Sequence, residues 1–452
     1  MKKVAVIGGG IAGLGSAYLL QKYGCEVTVF EQQNRVGGRM QTFTKEGFTW
    51  DSGAQFMLSS YSYMMRLMND LGLKVSSQPI PSIQGIVLSN NRISRAETFS
   101  PISFFRHPDI SMSSKLKSWK LIKTIWQYRD YSDYHYPERM APFDTKSLRV
   151  WADQEIGADA VDFYLSLPMS SLFFWTPEET PWWFPVMLAI MGKTKSFKMI
   201  VPDGGMGAVP EALARRLKVH LRERVQRVET TSRGTVIVRT ESGESEVDRV
   251  IVATPAPITL ELIDDPIMRL GKIRASYIRS TNYSSNLTTA IAYNEAPELQ
   301  AYGVSVPLAL NHKLAAIGWD HLKGRIRALE GGGLAVAMPT HEFSVARWGD
   351  ANTAIHNELI EAIELLYPKS SSHVLFANLN RWKFAMPKME PGRYQMLDQA
   401  LNEGALTGST IFTCGDYWMG PTTEHALGSA LRTAREVLQS LEIPIPDDLK
   451  DI

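Results

Sequence analysis

Cysteine is nearly missing from this chain: Cys25 and Cys414 are the two in 452 residues. Two isolated thiols build neither a disulfide framework nor a cysteine metal site, and they suit a reducing compartment. A long apolar run is missing as well. No stretch reaches the roughly 18–20 residues that cross a bilayer, and the nearest, Pro181 to Met191, is broken by Pro185. An excess of charge of one sign is also lacking. The formal net charge is +1, which removes any global electrostatic case for nucleic acid. Met1–Lys3 leads straight into an apolar strand with no secretory pattern, so a cytoplasmic location is expected. No metal-ligand cluster and no Ser-His-Asp order stands out.

What is present is the composition of a globular protein, 44% apolar and 21% charged, long enough for two domains. Val4–Ile7 is a short apolar run followed at once by glycines, as in a buried parallel strand. Ile11–Tyr23 reads as a helix closed by Gly24, and Glu26–Glu31 as a second strand. That is one βαβ unit within about 30 residues. Downstream, Gly204-Gly205 precede an expected helix over Gly207–Leu217. Strand-like stretches follow at Val219–Leu221, Val225–Val228, Thr235–Thr240, Ser245–Val247 and Arg249–Ala253, with a turn at Gly243. Near the end come a buried strand at Thr410–Thr413 and a long helix over Thr423–Leu441.

Gly8-Gly9-Gly10-Ile11-Ala12-Gly13 fits G-x-G-x-x-G. Gly8 permits the tight turn, Gly10 lets backbone approach a pyrophosphate, and Gly13 allows close helix–strand packing. The helix start offers free N–H groups and partial positive charge to phosphates. Glu31, ending the second strand, suits ribose hydroxyls and repels a 2′-phosphate. In that strand-to-helix context the motif predicts a bound dinucleotide.

Arg35-Val36-Gly37-Gly38-Arg39 follows, and then Asp51-Ser52-Gly53-Ala54-Gln55-Phe56. The order G-x-G-x-x-G, Glu, G-G-R, D-x-G-A resembles the flavin-containing amine oxidase superfamily, which includes protoporphyrinogen oxidases, phytoene desaturases and renalase-like proteins. Gly204-Gly205-Met206-Gly207, Ala253-Thr254-Pro255, Arg381-Trp382-Lys383-Phe384-Ala385-Met386-Pro387, and Gly415-Asp416 before Glu424-His425-Ala426 continue the likeness.

The resemblance implies an α/β fold with a discontinuous Rossmann-type FAD-binding domain (1–57, 199–263 and 404–443) and an α+β substrate-binding domain (58–198 and 264–403). It implies noncovalent FAD, because Cys414 is not at the position of a cysteinyl flavin. The expected cofactor residues are Gly8, Gly10, Ile11, Ala12, Gly13, Glu31, Gly38, Arg39, Gly53, Ala54, Gln55, Val225, Gly415, Asp416, Glu424 and Ala426. The last turn departs from the family pattern: His425 replaces a glycine, and one extra residue lies between Gly420 and Glu424. His425 is therefore either an acid–base group or a packing residue.

Trp382 and Trp418 are candidates to frame a substrate over the flavin. Lys323 and Lys383 are candidates for the lysine that many amine oxidases place near flavin N5. The substrate expected is small and hydrophobic or aromatic, with molecular oxygen as acceptor. Met112, Leu116, Trp119, Ile122 and Trp126 form a helical stripe among Lys115, Lys117, Lys120 and Lys123, and aromatic clusters flank the capping-box-like Thr176-Pro177-Glu178-Glu179. These segments suit a greasy pocket, a peripheral membrane contact or simply a core. The expected reaction is oxidation of a C–N bond of an amine or nitrogen heterocycle. Two alternatives stand beside it: C=C formation in a large lipophilic substrate, and a non-catalytic flavoprotein with structural FAD.

Overall fold

A computed structural model describes residues 1–97, 100–194, 198–299, 301–324 and 327–450. The apolar run and glycine turn at the N-terminus form the strand Lys3–Ile7 and the helix Ile11–Lys22, followed by the strand Glu26–Glu31. All the strands of one five-stranded sheet run parallel, in the order Ile411–Thr413, Arg249–Val252, Lys3–Ile7, Glu26–Glu31, Lys218–Leu221. Three distant parts of the chain therefore share one sheet. A three-stranded antiparallel meander, Val225–Thr230, Val236–Thr240 and Glu244–Val247, lies in sequence between the strands Lys218–Leu221 and Arg249–Val252.

Two glycines at the first turn explain its tightness. Gly8 holds φ +108° with its missing Cβ facing the Ala253 carbonyl. A Cβ on Gly13 would collide with the Gly8 carbonyl oxygen, so helix and strand approach closely. On the helix's other side Gly15 admits Leu427, from the terminal helix Thr423–Ser440. Val4, Val6, Leu14, Val29, Val250 and Leu427 belong to the largest apolar core.

A second sheet has seven strands, ordered Val374–Pro387, Tyr283–Tyr293, Gly333–Pro339, Leu314–Trp319, Gly303–Ser305, Ile83–Val87 and Ile93–Glu97. Its pairs are antiparallel except Gly303–Ser305 with Ile83–Val87. Leu287, Ile291, Ile317 and Trp319 pack in its own core. No helix among the described residues is long and apolar enough to cross a membrane.

Two local expectations change. The Thr176–Glu179 capping-box bonds form, Thr176 N to Glu179 Oε2 at 3.1 Å and Glu179 N to Thr176 Oγ1 at 3.3 Å, yet they close a turn. Pro181 supplies no N–H and disfavours helical backbone at Thr180, so the next helix starts at Phe184. The expected stripe over 112–126 divides into the helices Met112–Lys117 and Trp119–Tyr128, meeting at Ser118.

Candidate active site

The two sheets border a single large cavity of about 1910 Å³. A site for one drug-sized molecule is roughly 300–1,000 Å³, so this one has room for two such molecules together. Gly8, Gly10, Ile11, Ala12 and Glu31 line one end; Gly38, Arg39, Gly53, Ala54, Gln55 and Val225 continue the wall; Gly415, Asp416 and Ala426 close it. Fourteen of the sixteen expected cofactor residues thus meet on one surface. A Cβ added to Gly10 would find nothing within 4 Å, so the helix start faces open space where an anion can reach its backbone. Glu31 is held in place by Gly9 N at 2.7 Å and Gln33 N at 2.8 Å.

The strongest link joins two motifs 377 residues apart. Arg39 forms a two-pronged pair with Asp416, Nη1–Oδ2 2.7 Å and Nη2–Oδ1 3.0 Å, and also donates to the Ala385 carbonyl at 2.9 Å. Trp382 donates from Nε1 to the Ser52 carbonyl at 2.7 Å. One strand, Val374–Pro387, is thereby tied to both the G-G-R and D-x-G-A loops. Trp382 and Lys383 line the cavity, Lys383 at its exposed edge.

Five expected site residues lie off the cavity wall. Gly13 does so because its role is packing. Glu424 is fully buried and accepts from Tyr63 N at 2.8 Å and Met64 N at 2.9 Å, with His135 Nε2 at 2.7 Å. It caps the first turn of the helix Ser62–Leu71 instead of meeting a cofactor. Trp418 turns inward, stacking on Tyr277 at 4.9 Å and donating to Thr413 Oγ1 at 3.0 Å, which removes it from any substrate cage.

Lys323 is fully buried behind the wall. Its ammonium lies 2.9 Å from Asp51 Oδ2, 2.9 Å from Asp320 Oδ2 and 3.1 Å from Gln55 Oε1. Arg327 sits 2.9 Å from Asp51 and 3.5 Å from Asp320, making a closed group of two cations and two carboxylates. Burial pushes Asp51 up, but Lys323 and Arg327 outweigh it and leave it below the ordinary carboxylate range. Burial, with Asp51 alongside, holds Asp320 above that range despite the same two cations.

His425 is a packing residue. It stacks on Tyr134 at 4.3 Å, and its Nε2–H donates to the Tyr134 carbonyl at 2.8 Å. Burial drives its pKa down to about 3. The unfolded chain takes up a proton near pH 6.5 and the folded chain does not, so stability present above pH 6.5 is lost as pH falls toward 3. His425→Gln is expected to flatten this slope. Between pH 7 and pH 5 the wild type should lose about 2 kcal/mol more than the variant in urea unfolding. Equal losses would show that His425 titrates normally in the fold.

Sequence reasoning missed Asn286 and Thr288. They share one face of the strand Tyr283–Tyr293 by the two-residue period, and both line the cavity. Thr288 Oγ1 donates to Asn286 Oδ1 at 2.6 Å, and Asn286 Nδ2 to the Pro339 carbonyl at 2.7 Å. Two polar residues at i and i+2 in a strand buried almost throughout were the available signal. Thr422, Thr423 and Ala426 also border the cavity, and Thr422 Oγ1 caps the terminal helix at His425 N. The first turn of that helix therefore faces the site.

A parallel sheet with a glycine turn, an arginine–carboxylate clasp and a second sheet walling an apolar cavity make up this site. The model of the flavin containing amine oxidoreductase family matches residues 11–438, and the chain belongs to that family of enzymes. A mitochondrial protoporphyrinogen oxidase of Nicotiana tabacum is 29% identical over 167 residues, 36% of this chain and 31% of that protein. An L-amino-acid oxidase of Siganus canaliculatus is 24% identical over 318 residues, 64% of this chain and 56% of that protein. These stretches span less than two thirds of either relative. The solved cyclohexylamine oxidase of Brevibacterium oxydans IH-35A shares the fold, with a TM-score of 0.76 at 15% identity over 98% of this chain and 99% of that one.

Proposed function

We propose that this chain is an FAD-dependent oxidase or dehydrogenase acting on a bulky, apolar, uncharged substrate. The segments 1–57, 199–263 and 404–443 are assigned to a Rossmann-type FAD unit, and 58–198 with 264–403 to the substrate unit. Bound FAD supplies the two-electron acceptor, with oxygen as the terminal oxidant. Arg39 and the helix start at Gly10 would hold its phosphates, and Glu31 its ribose. The first turn of the terminal helix, at Thr422–Ala426, offers partial positive charge where negative charge gathers. Cys414 is buried, off the cavity, with its thiol pushed up to about 12 by burial, which supports noncovalent binding.

The observation that carries the substrate class is the wall facing the FAD half. Phe104, Leu121, Ile125, Leu167, Leu172, Phe173 and Ile317 dominate it; its polar groups include the neutral Asn286, Thr288, Tyr302 and Ser305, and its cations Lys198, Arg381 and Lys383 are exposed. Its one carboxylate among the described residues is Glu97, exposed at the rim. A cationic amine buried there would lack a counter-charge, at a cost of several kcal/mol. This favours oxidation in a large lipophilic molecule, at a C–C bond or beside a neutral nitrogen, over oxidation of a small charged amine. Asn286 and Thr288 would orient such a substrate, and the apolar wall would exclude water during transfer.

Under anaerobic conditions, apolar heterocycles or polyenes should bleach the visible flavin band of the purified protein, and short diamines should not. Diamines bleaching it as fast as apolar compounds would overturn the assignment.

A further inference from the structure

Large apolar side chains exposed singly are ordinary on a protein surface. Here Ile102, Phe105, Met112, Leu116, Trp119, Ile122 and Trp126 are each 49–68% exposed within 25 residues of chain. Trp119 and Trp126 are the two strongly exposed tryptophans among the described residues. The helix Trp119–Tyr128 buries none of its residues. It is apolar on two sides. Leu121 and Ile125 turn to the cavity, while Trp119 and Trp126 turn outward, and Ile122 and Phe105 are both exposed and part of the cavity wall.

The charge around this face is mostly positive. Residues 101–130 carry six Lys or Arg (Arg106, Lys115, Lys117, Lys120, Lys123, Arg129) against Asp109 and Asp130, in a chain whose net charge is +1. Lys120 pairs with Glu155 at 3.1 Å and Arg129 with Asp130 at 3.5 Å. Lys117 and Lys123 are exposed beside the tryptophans.

We propose that this face docks on an anionic lipid surface, and that the cavity opens through it so that a lipophilic substrate enters from the bilayer. Tryptophans and aliphatic side chains fit the headgroup–acyl boundary, and flanking lysines meet the phosphates of the headgroups. A basic, apolar face complements an anionic membrane better than it complements a copy of itself, where six cations would confront six. The direction of substrate entry rests on the substrate class proposed above. The docking itself does not, so the two fail in different experiments.

The test is flotation of the FAD-loaded, full-length protein with vesicles. One set is phosphatidylcholine alone, and in the other phosphatidylglycerol is about a third of the lipid. At low salt the mixed vesicles should bind at least about tenfold more tightly, an advantage that salt erodes. The double variants W119S/W126S and K117E/K123E lie off the cavity wall. Each should weaken binding about tenfold or more while flavin content and thermal midpoint stay at wild-type values. Three results overturn the proposal: no binding to the anionic vesicles at low salt, folded variants that bind like wild type, or a dimer in sedimentation that W119S/W126S dissolves, which would give the face to a second copy of the chain.

Discussion

Gly13→Ala should yield a protein that purifies without flavin, whereas Gly10→Ala should yield one that folds normally and binds flavin weakly. The two glycines are three residues apart, and their missing methyl groups face different things. A Cβ on Gly13 would overlap the Gly8 carbonyl oxygen and stand 3.2 Å from Ala253 Cβ. Neither neighbour can yield: Gly8 is already at φ +108° and Ala253 sits at the end of the adjacent strand. The helix Ile11–Lys22 must then lift off the sheet, carrying its N-terminal N–H groups out of register with the cavity. Overpacking of this kind costs about 1–3 kcal/mol, and loss of phosphate alignment should lower FAD affinity by about a hundredfold.

Gly10 borders the cavity with nothing within 4 Å of an added Cβ. Alanine there fills space that the phosphate needs and disturbs no protein contact. FAD retained through gel filtration and the thermal midpoint of the apoprotein read the two effects separately. A Gly10→Ala protein that keeps full flavin content would remove the assignment of this turn to a dinucleotide.

The reason these positions were legible is local. Gly10, Gly13 and Glu31 answer mainly to constraints set within one βαβ unit, and the expected strand over 26–31 and helix from residue 11 agree with the structure within a residue or two. Arg39 and Asp416 were each legible, but their pairing across 377 residues was not, because nothing local encodes it. Glu424 and His425 went astray for a related reason. Thr422, Thr423 and Ala426 face the cavity, while Glu424 and His425, on the same turn, are claimed by Tyr63, Met64 and Tyr134 from a segment whose path no motif announces. Trp418 was drawn inward by Tyr277 in the same way. Lys323 had the chemistry of a site residue, but its partner Asp51 lies in a loop read for its glycine and alanine, not for its acid.

That lysine carries the last prediction. Lys323→Met should lower stability by about 3–5 kcal/mol, the usual cost of stranding a buried charge. At roughly 1 °C per kcal/mol for a chain of 452 residues, the midpoint should fall by about 3–5 °C. The four charges now balance: Asp51 and Asp320 face Lys323 and Arg327, with Lys323 fully buried. Asp51 also accepts from Thr42 Oγ1 at 2.6 Å and Met206 N at 2.9 Å, so the group locks the loop behind Gly53–Gln55 to the Gly204–Gly207 turn. Removing the lysine leaves one uncompensated carboxylate.

Asp320 is the one that should take up a proton, since burial and Asp51 already hold it above the ordinary range. Its protonation compensates the loss, so the variant's deficit should shrink as pH falls. Lys323→Met combined with Asp320→Leu removes one charge of each sign and should recover much of the stability, giving a coupling energy well above 1 kcal/mol in a double-mutant cycle. Gln55, freed from Lys323, can shift at the cavity wall, so a modest rise in KM is expected with kcat little changed. The opposite pattern would make Lys323 a catalytic residue after all: a thermal midpoint that hardly moves, together with a flavin that reacts with oxygen more than about tenfold slower, a barrier increase of about 1.4 kcal/mol.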